Sequence, residues 1–83
     1  MSSLTVRLVE LKSKNNLLQK DIAHNVGLSL RTYQRYEYGE RLPDSDTIIK
    51  LCNYFNISAD YLLGLTDEPR PLREENTSNN QKQ

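Results

Sequence analysis

Leucines at positions 4, 8 and 11 recur at the i, i+4, i+7 spacing of one helix face, with Val9 beside them, so Ser3 to Lys14 predicts a first helix. Asn15-Asn16 ends it. A second helix starts at Gln19 and buries Ile22, Ala23 and Val26, with Asp21 in its first turn complementing the helix dipole; Gly27 supplies the left-handed backbone that stops it. Leu18 stands where a capping Ser, Thr, Asp or Asn is expected. Ser29 caps a third helix whose inward residues are Tyr33 and Tyr36, and Gly39 ends it. After Pro43, Asp44 caps a fourth helix with a broad apolar stripe of Ile48, Ile49, Leu51, Cys52 and Phe55, expected to be the main packing partner. Asn56 breaks it, Ile57 is buried in the connection, and Ser58 caps a short fifth helix carrying Tyr61, Leu62 and Leu63 before Gly64. No strand signal appears, and the expected fold is all-α.

From Thr66 the residues turn polar, with Leu72 the only large apolar one, so the chain divides into a domain at 1–65 and a linker or disordered tail at 66–83. The 83 residues therefore hold one small domain. No stretch approaches the roughly 20 apolar residues of a membrane span, and the N-terminus has no export signal, which predicts a cytoplasmic protein. Cys52 is alone and His24 is the only histidine, so neither a disulfide nor a histidine-cysteine metal cluster is expected. Paired carboxylates on a common face, a Ser-His or Cys-His pair at plausible spacing and a glycine-rich phosphate loop are all missing, so neither enzyme chemistry nor a cofactor or small-molecule substrate is expected.

Arg31, Gln34, Arg35 and Tyr38 stand at i, i+3, i+4 and i+7 on the third helix, so long polar side chains project together from one rod that fits a DNA major groove. Net charge is zero, yet residues 1–42 hold seven basic against four acidic residues, leaving +3 there and −3 on 43–83. A basic face is still available to phosphates, with a shallower salt dependence than a strongly basic protein has. An exposed arginine is most often merely solvated, and Tyr33 and Tyr36 at helical spacing are core residues sooner than base-stacking platforms. Cys52 reads as a small core residue and His24 as a surface one.

The segment from Arg7 to Gly64 resembles the Cro/CI-type, or Xre-like, helix-turn-helix family that includes lambdoid phage repressor domains. The resemblance rests on Arg7, Leu8, Leu11, Leu17, Gln19, Ile22, Ala23, Val26-Gly27, Ser29, Thr32, Tyr36-Glu37, Gly39, Pro43, Thr47 and Ser58-Ala59-Asp60-Tyr61-Leu62-Leu63-Gly64. It implies a five-helix domain with the helix-turn-helix at helices two and three, acting as a regulator that binds double-stranded operator DNA, usually as a homodimer. It further implies base readout by Leu30, Arg31, Thr32 and Arg35, with Gln34 beside them. Backbone contacts fall to Gln19, Ser29, Tyr38 and Arg41. Glu37 is ion-paired to Lys12, where the family often has arginine. The dimer surface is expected around the fifth helix, at Tyr61, Leu65 and Tyr54. A competing reading is a protein-interaction module, since the same fold occurs in antitoxins and adaptors, and the neutral overall charge suits it.

Overall fold

In the computed structural model, which describes residues 3–70, the leucine face closes into helix α1, Ser3–Lys14, with Leu4, Leu8 and Leu11 buried. Asn16, at φ 55°, turns the chain out of α1, and the Leu11 carbonyl accepts from both the Asn15 backbone N–H at 3.1 Å and Asn15 Nδ2 at 2.8 Å. Helices α2, Gln19–Asn25, and α3, Leu30–Glu37, follow, joined across Gly27. Helices α4, Ser45–Phe55, and α5, Ala59–Leu62, complete the five, and no strand occurs among the described residues.

Three helix starts are held by side-chain oxygens. Ser29 accepts from the Thr32 N–H at 3.1 Å, Asp44 from Thr47 at 2.9 Å and Ser58 from Tyr61 at 3.0 Å. Leu18 has no side-chain acceptor, and only the reciprocal half of a cap forms before α2, where Asp21 Oδ2 accepts from the Leu18 N–H at 3.2 Å.

The core is assembled from one fully buried side chain per helix: Leu8, Ile22, Tyr33, Leu51 and Leu62. Truncating such a leucine to alanine costs about 2–5 kcal/mol, comparable to the ~3–5 kcal/mol that a core this small supplies in total. Helix α4 is not the main packing partner, contrary to the pattern-based expectation; the closest pairing is that of α2 with α3. Helix α1 lies against both α3 and α5, whereas α4 packs mainly on α5. Ile49 explains part of the difference, since it is 56% exposed. The buried stripe of α4 runs through positions 48, 51, 52 and 55, and Ile49 sits about 100° around the helix from Ile48. Leu63 is likewise outside: α5 stops at Leu62, and Leu63 is its exposed C-cap.

Residues 66–70, read from composition as the start of a tail, lie against the domain. Arg7 reaches across from α1, donating through Nε to the Tyr61 carbonyl at 3.0 Å and through Nη2 to the Thr66 carbonyl at 3.1 Å and Asp67 Oδ1 at 3.0 Å. Its guanidinium stacks 4.1 Å from the Tyr61 ring centre, and the Pro69 carbonyl accepts from the Ser58 N–H at 2.9 Å. The rest of the expected tail, 71–83, falls outside the described residues. Gly64, at φ 84°, packs on the first turn of α1, where a Cβ would overlap the side chain of Ser3. No helix among the described residues is long and apolar enough to cross a membrane.

Candidate nucleic-acid interface

The tight turn over Gly27 to Ser29 sets α3 against α2, the most extensive helix pairing in the fold. Tyr33 and Tyr36 are the buried aromatic side of α3; Arg31 stands on the opposite side in solvent, and Leu30 in the first turn is exposed as well. The Arg31 guanidinium has no hydrogen bond or ion pair among the described residues. Arg35 is half-buried and reaches Glu40 only at 3.8 Å, an exposed pair of little worth that leaves it available to a stronger anion. Thr32 is tied into the cap, its Oγ1 accepting from the Ser29 hydroxyl at 2.9 Å while keeping its own proton free. Leu30, with Leu17 and Leu18, lines an open depression flanked by Lys12 and Lys20. Arg41 is exposed in the loop after α3, near enough to Asp44 to help hold that carboxyl below its usual range, an effect due mainly to the Thr47 N–H.

Gln19, Gln34, Glu37, Tyr38 and Lys12 meet in a single hydrogen-bonded cluster. Glu37 is buried at its centre. Its Oε1 accepts from Lys12 Nζ at 3.0 Å and from Gln19 Nε2 at 3.0 Å, and its Oε2 accepts from the Tyr33 hydroxyl at 2.9 Å. Gln19 Oε1 in turn accepts from Gln34 Nε2 at 3.0 Å, and Gln19 Nε2 lies 3.5 Å from the Tyr38 hydroxyl. The carboxylate is thus surrounded by three donors contributed by α1, α2 and α3, which clamps the three helices together and fixes the pitch at which α3 emerges. Burial first, and then the Glu37 charge, push the Tyr33 hydroxyl far above its ordinary value, so it stays a donor.

The Tyr33 hydroxyl was the unread member of this cluster. Its signal is the i, i+4 pairing of Tyr33 with Glu37 on one helix face, which a purely apolar reading of Tyr33 passes over. Arg7 was the other unassigned residue, and its binding of the 66–67 segment leaves no periodic trace. Tyr61, expected to offer apolar surface, is instead half-buried beneath Arg7, and Tyr54 packs edge-on against Phe55 with ring centres 5.0 Å apart. No group of three or more metal-ligating side chains occurs among the described residues, and burial raises the Cys52 thiol, keeping it protonated.

The helix-turn-helix family model matches residues 10–62, well over half of the chain and the whole of this cluster. The chain belongs to the helix-turn-helix family. Among relatives of this helix-turn-helix protein, the HTH-type transcriptional regulator ImmR of Bacillus subtilis is 42% identical over 62 residues, 75% of this chain and 49% of that one. The cryptic phage CTXphi transcriptional repressor RstR of Vibrio cholerae is 37% identical over 68 residues, 80% of this chain and 61% of its own. A crystal structure of a transcriptional regulator from Listeria innocua superposes with a TM-score of 0.71 at 34% identity, covering 78% of this chain and 61% of that one. This helix-turn-helix chain spans about half to three-fifths of the length of these relatives.

Proposed function

We propose that this helix-turn-helix chain is a sequence-specific binder of double-stranded DNA that regulates transcription, as a repressor occupying a two-fold operator in the bacterial cytoplasm. The observation that carries the reading is Arg31, without a partner among the described residues, on an α3 face whose pitch is locked from behind by Glu37. Arg31 and Arg35 supply the guanine-directed contacts, and Leu30 meets a thymine methyl. Thr32 and Gln34 flank them, while Ser29, Tyr38, Arg41 and Gln19 line the backbone side. One eight-residue helix reads too few base pairs to be specific, so two copies are expected on half-sites about 34 Å apart. The exposed Leu63 and Leu65, just past α5, offer the apolar surface for that pairing.

Selection of bound duplexes from a random pool tests sequence preference, symmetry and spacing together. A two-fold consensus is expected. Affinity should fall with added salt at a slope of roughly −2 per protomer, as Arg41 and Lys20 displace counterions from phosphates. A pool that yields no consensus, together with binding indifferent to salt, would sink the proposal in favour of a protein-interaction role.

A further inference from the structure

Leu17, Leu18 and Leu30 line an open depression of about 520 Å³ between the connection that enters α2 and the first turn of α3, with Leu18 58% and Leu30 43% exposed. One exposed leucine is ordinary in a folded protein, whereas several gathered in one hollow mark a contact surface. Leu18 is also the residue that leaves α2 without a side-chain cap, and a Ser, Thr, Asp or Asn in its place would hold that helix start better. Helix stability therefore does not account for a leucine at this position. Apolar contact area does.

The rim of the depression is cationic. Lys12 and Lys20 edge it, no acidic side chain lines it among the described residues, and Lys20 has no hydrogen bond or ion pair among them. Lys12 Nζ gives one of its three hydrogens to Glu37 and keeps a partly exposed ammonium. A leucine floor between cationic edges selects its occupant. A phosphate set against leucines loses water and gains no donor. An amphipathic helix can instead lay apolar residues spaced i, i+3 or i+4 on the floor while carboxylates beside them meet the two lysines.

We propose that this depression docks an acidic amphipathic helix of a partner protein, alongside DNA binding and not in place of it. Leu30 and Gln19, which line the depression, belong to the surface assigned above to the operator. Helix and duplex therefore exclude one another, and the partner acts as an inhibitor of DNA binding. Only this exclusion rests on the DNA-binding reading.

The test is fluorescence anisotropy of the full chain with a labelled synthetic helix of about four turns, leucine on one face and glutamate elsewhere. One control peptide has the same composition with its leucines dispersed around the helix, and another has glutamine for glutamate. The amphipathic peptide should bind, the dispersed one about 10-fold more weakly, and the glutamine one a few-fold more weakly and without salt dependence. Leu18→Ser should lose about 10-fold toward the amphipathic peptide while keeping its affinity for a selected duplex. It should melt at or above the wild type, because serine restores the cap. Unlabelled duplex should displace the peptide from the wild type.

No binding of the amphipathic peptide, equal binding of the dispersed one, or undiminished binding by Leu18→Ser overturns the proposal. So does a Leu18→Ser variant that loses duplex and peptide affinity alike, which would make the depression part of the DNA footprint. Failure of a duplex that the wild type binds to displace the peptide overturns it as well. A wild type that takes the peptide and no duplex upholds the docking site and overturns the DNA reading, so the two fail separately.

Discussion

Replacing Lys12 with methionine keeps the aliphatic stem and removes only the ammonium that faces Glu37. In the wild type Nζ lies 3.0 Å from Oε1; the Glu37 side chain is 3% exposed and that of Lys12 23%. At an effective dielectric constant near 20 the attraction is about 5 kcal/mol, offset by a desolvation cost of several kcal/mol for the ammonium. Breaking a wholly buried pair costs roughly 3–5 kcal/mol, and breaking an exposed one about 0–1 kcal/mol. Lys12 lies between these limits, and Glu37 keeps the neutral donors Gln19 and Tyr33. The expected loss is therefore about 2 kcal/mol, near half the net stability of a domain this size. For 60–100 residues it corresponds to a fall in Tm of roughly 8–16 °C. Thermal and urea melts followed by far-ultraviolet circular dichroism measure it directly. Lys12→Arg keeps the charge and adds a planar fork, so it should melt at or above the wild type. Equal melting of Lys12→Met and wild type would refute the clamp. A loss in Lys12→Arg as large as in Lys12→Met would mean that packing of the stem, not charge, holds α1 to α3.

Arg31→Ala should relax one base position in the selected consensus, with a cost of about 1–3 kcal/mol on the preferred base; an unchanged consensus would remove Arg31 from the readout. Asp44 caps α4 as a carboxylate whose pKa is lowered by the Thr47 N–H, so its contribution is present above the ordinary carboxylate range and is lost as pH falls through the depressed value. Asp44→Asn keeps an acceptor that does not titrate, so the Tm advantage of the wild type over this variant should shrink as the melts are moved below about pH 4. Gly64→Ala combines a φ of 84° with overlap on Ser3, and should destabilise more than the ~1 kcal/mol of an ordinary cap change. Chemical denaturation compares it with Gly27→Ala, where an added Cβ meets open space and only the backbone strain is paid.

Whatever depends on local spacing was legible in the chain. The helix starts at Ser29, Asp44 and Ser58 follow from side-chain chemistry three residues ahead of a free N–H, and the stops at Gly27, Gly39 and Gly64 follow from the backbone angle that glycine permits. Exposed and inward residues of α3 separate by angle around one helix. Legibility ended where partners come from distant parts of the chain. Ile49 is as apolar as Ile48, and which of the two faces the core depends on where the rest of the fold meets α4. The hold of Arg7 on residues 66–67 spans some sixty positions and has no period to detect. The orientation of the Gln19 amide depends on which atoms three separate helices bring to Glu37, so a role assigned to Gln19 by resemblance could not include it.

The zero net charge, awkward for a DNA partner when taken as a sum, has a structural resolution in where the acidic residues stand. In the acidic half, Asp44 caps α4 and Asp46 and Asp60 occupy the first turns of α4 and α5, where they face the positive ends of those helices. Asp67 is bound to Arg7, and Glu68 to Arg70 at 3.0 Å. In the basic half, Glu37 is buried and matched by Lys12, so it adds no negative charge to the face that α3 presents. Arg31 remains without a counter-ion among the described residues, and Arg35 has only the long contact to Glu40. Most of the described carboxylates are thus engaged in holding helices and the 66–70 segment in place, while Arg31, Arg35 and Arg41 stand along α3 and the loop that follows it, and Lys14, Lys20 and Lys50 lie on α1, α2 and α4. Local potential, and not net charge, governs a short-range encounter once salt has screened distances beyond about 8–10 Å, so a neutral chain with this distribution presents phosphates with a cationic edge.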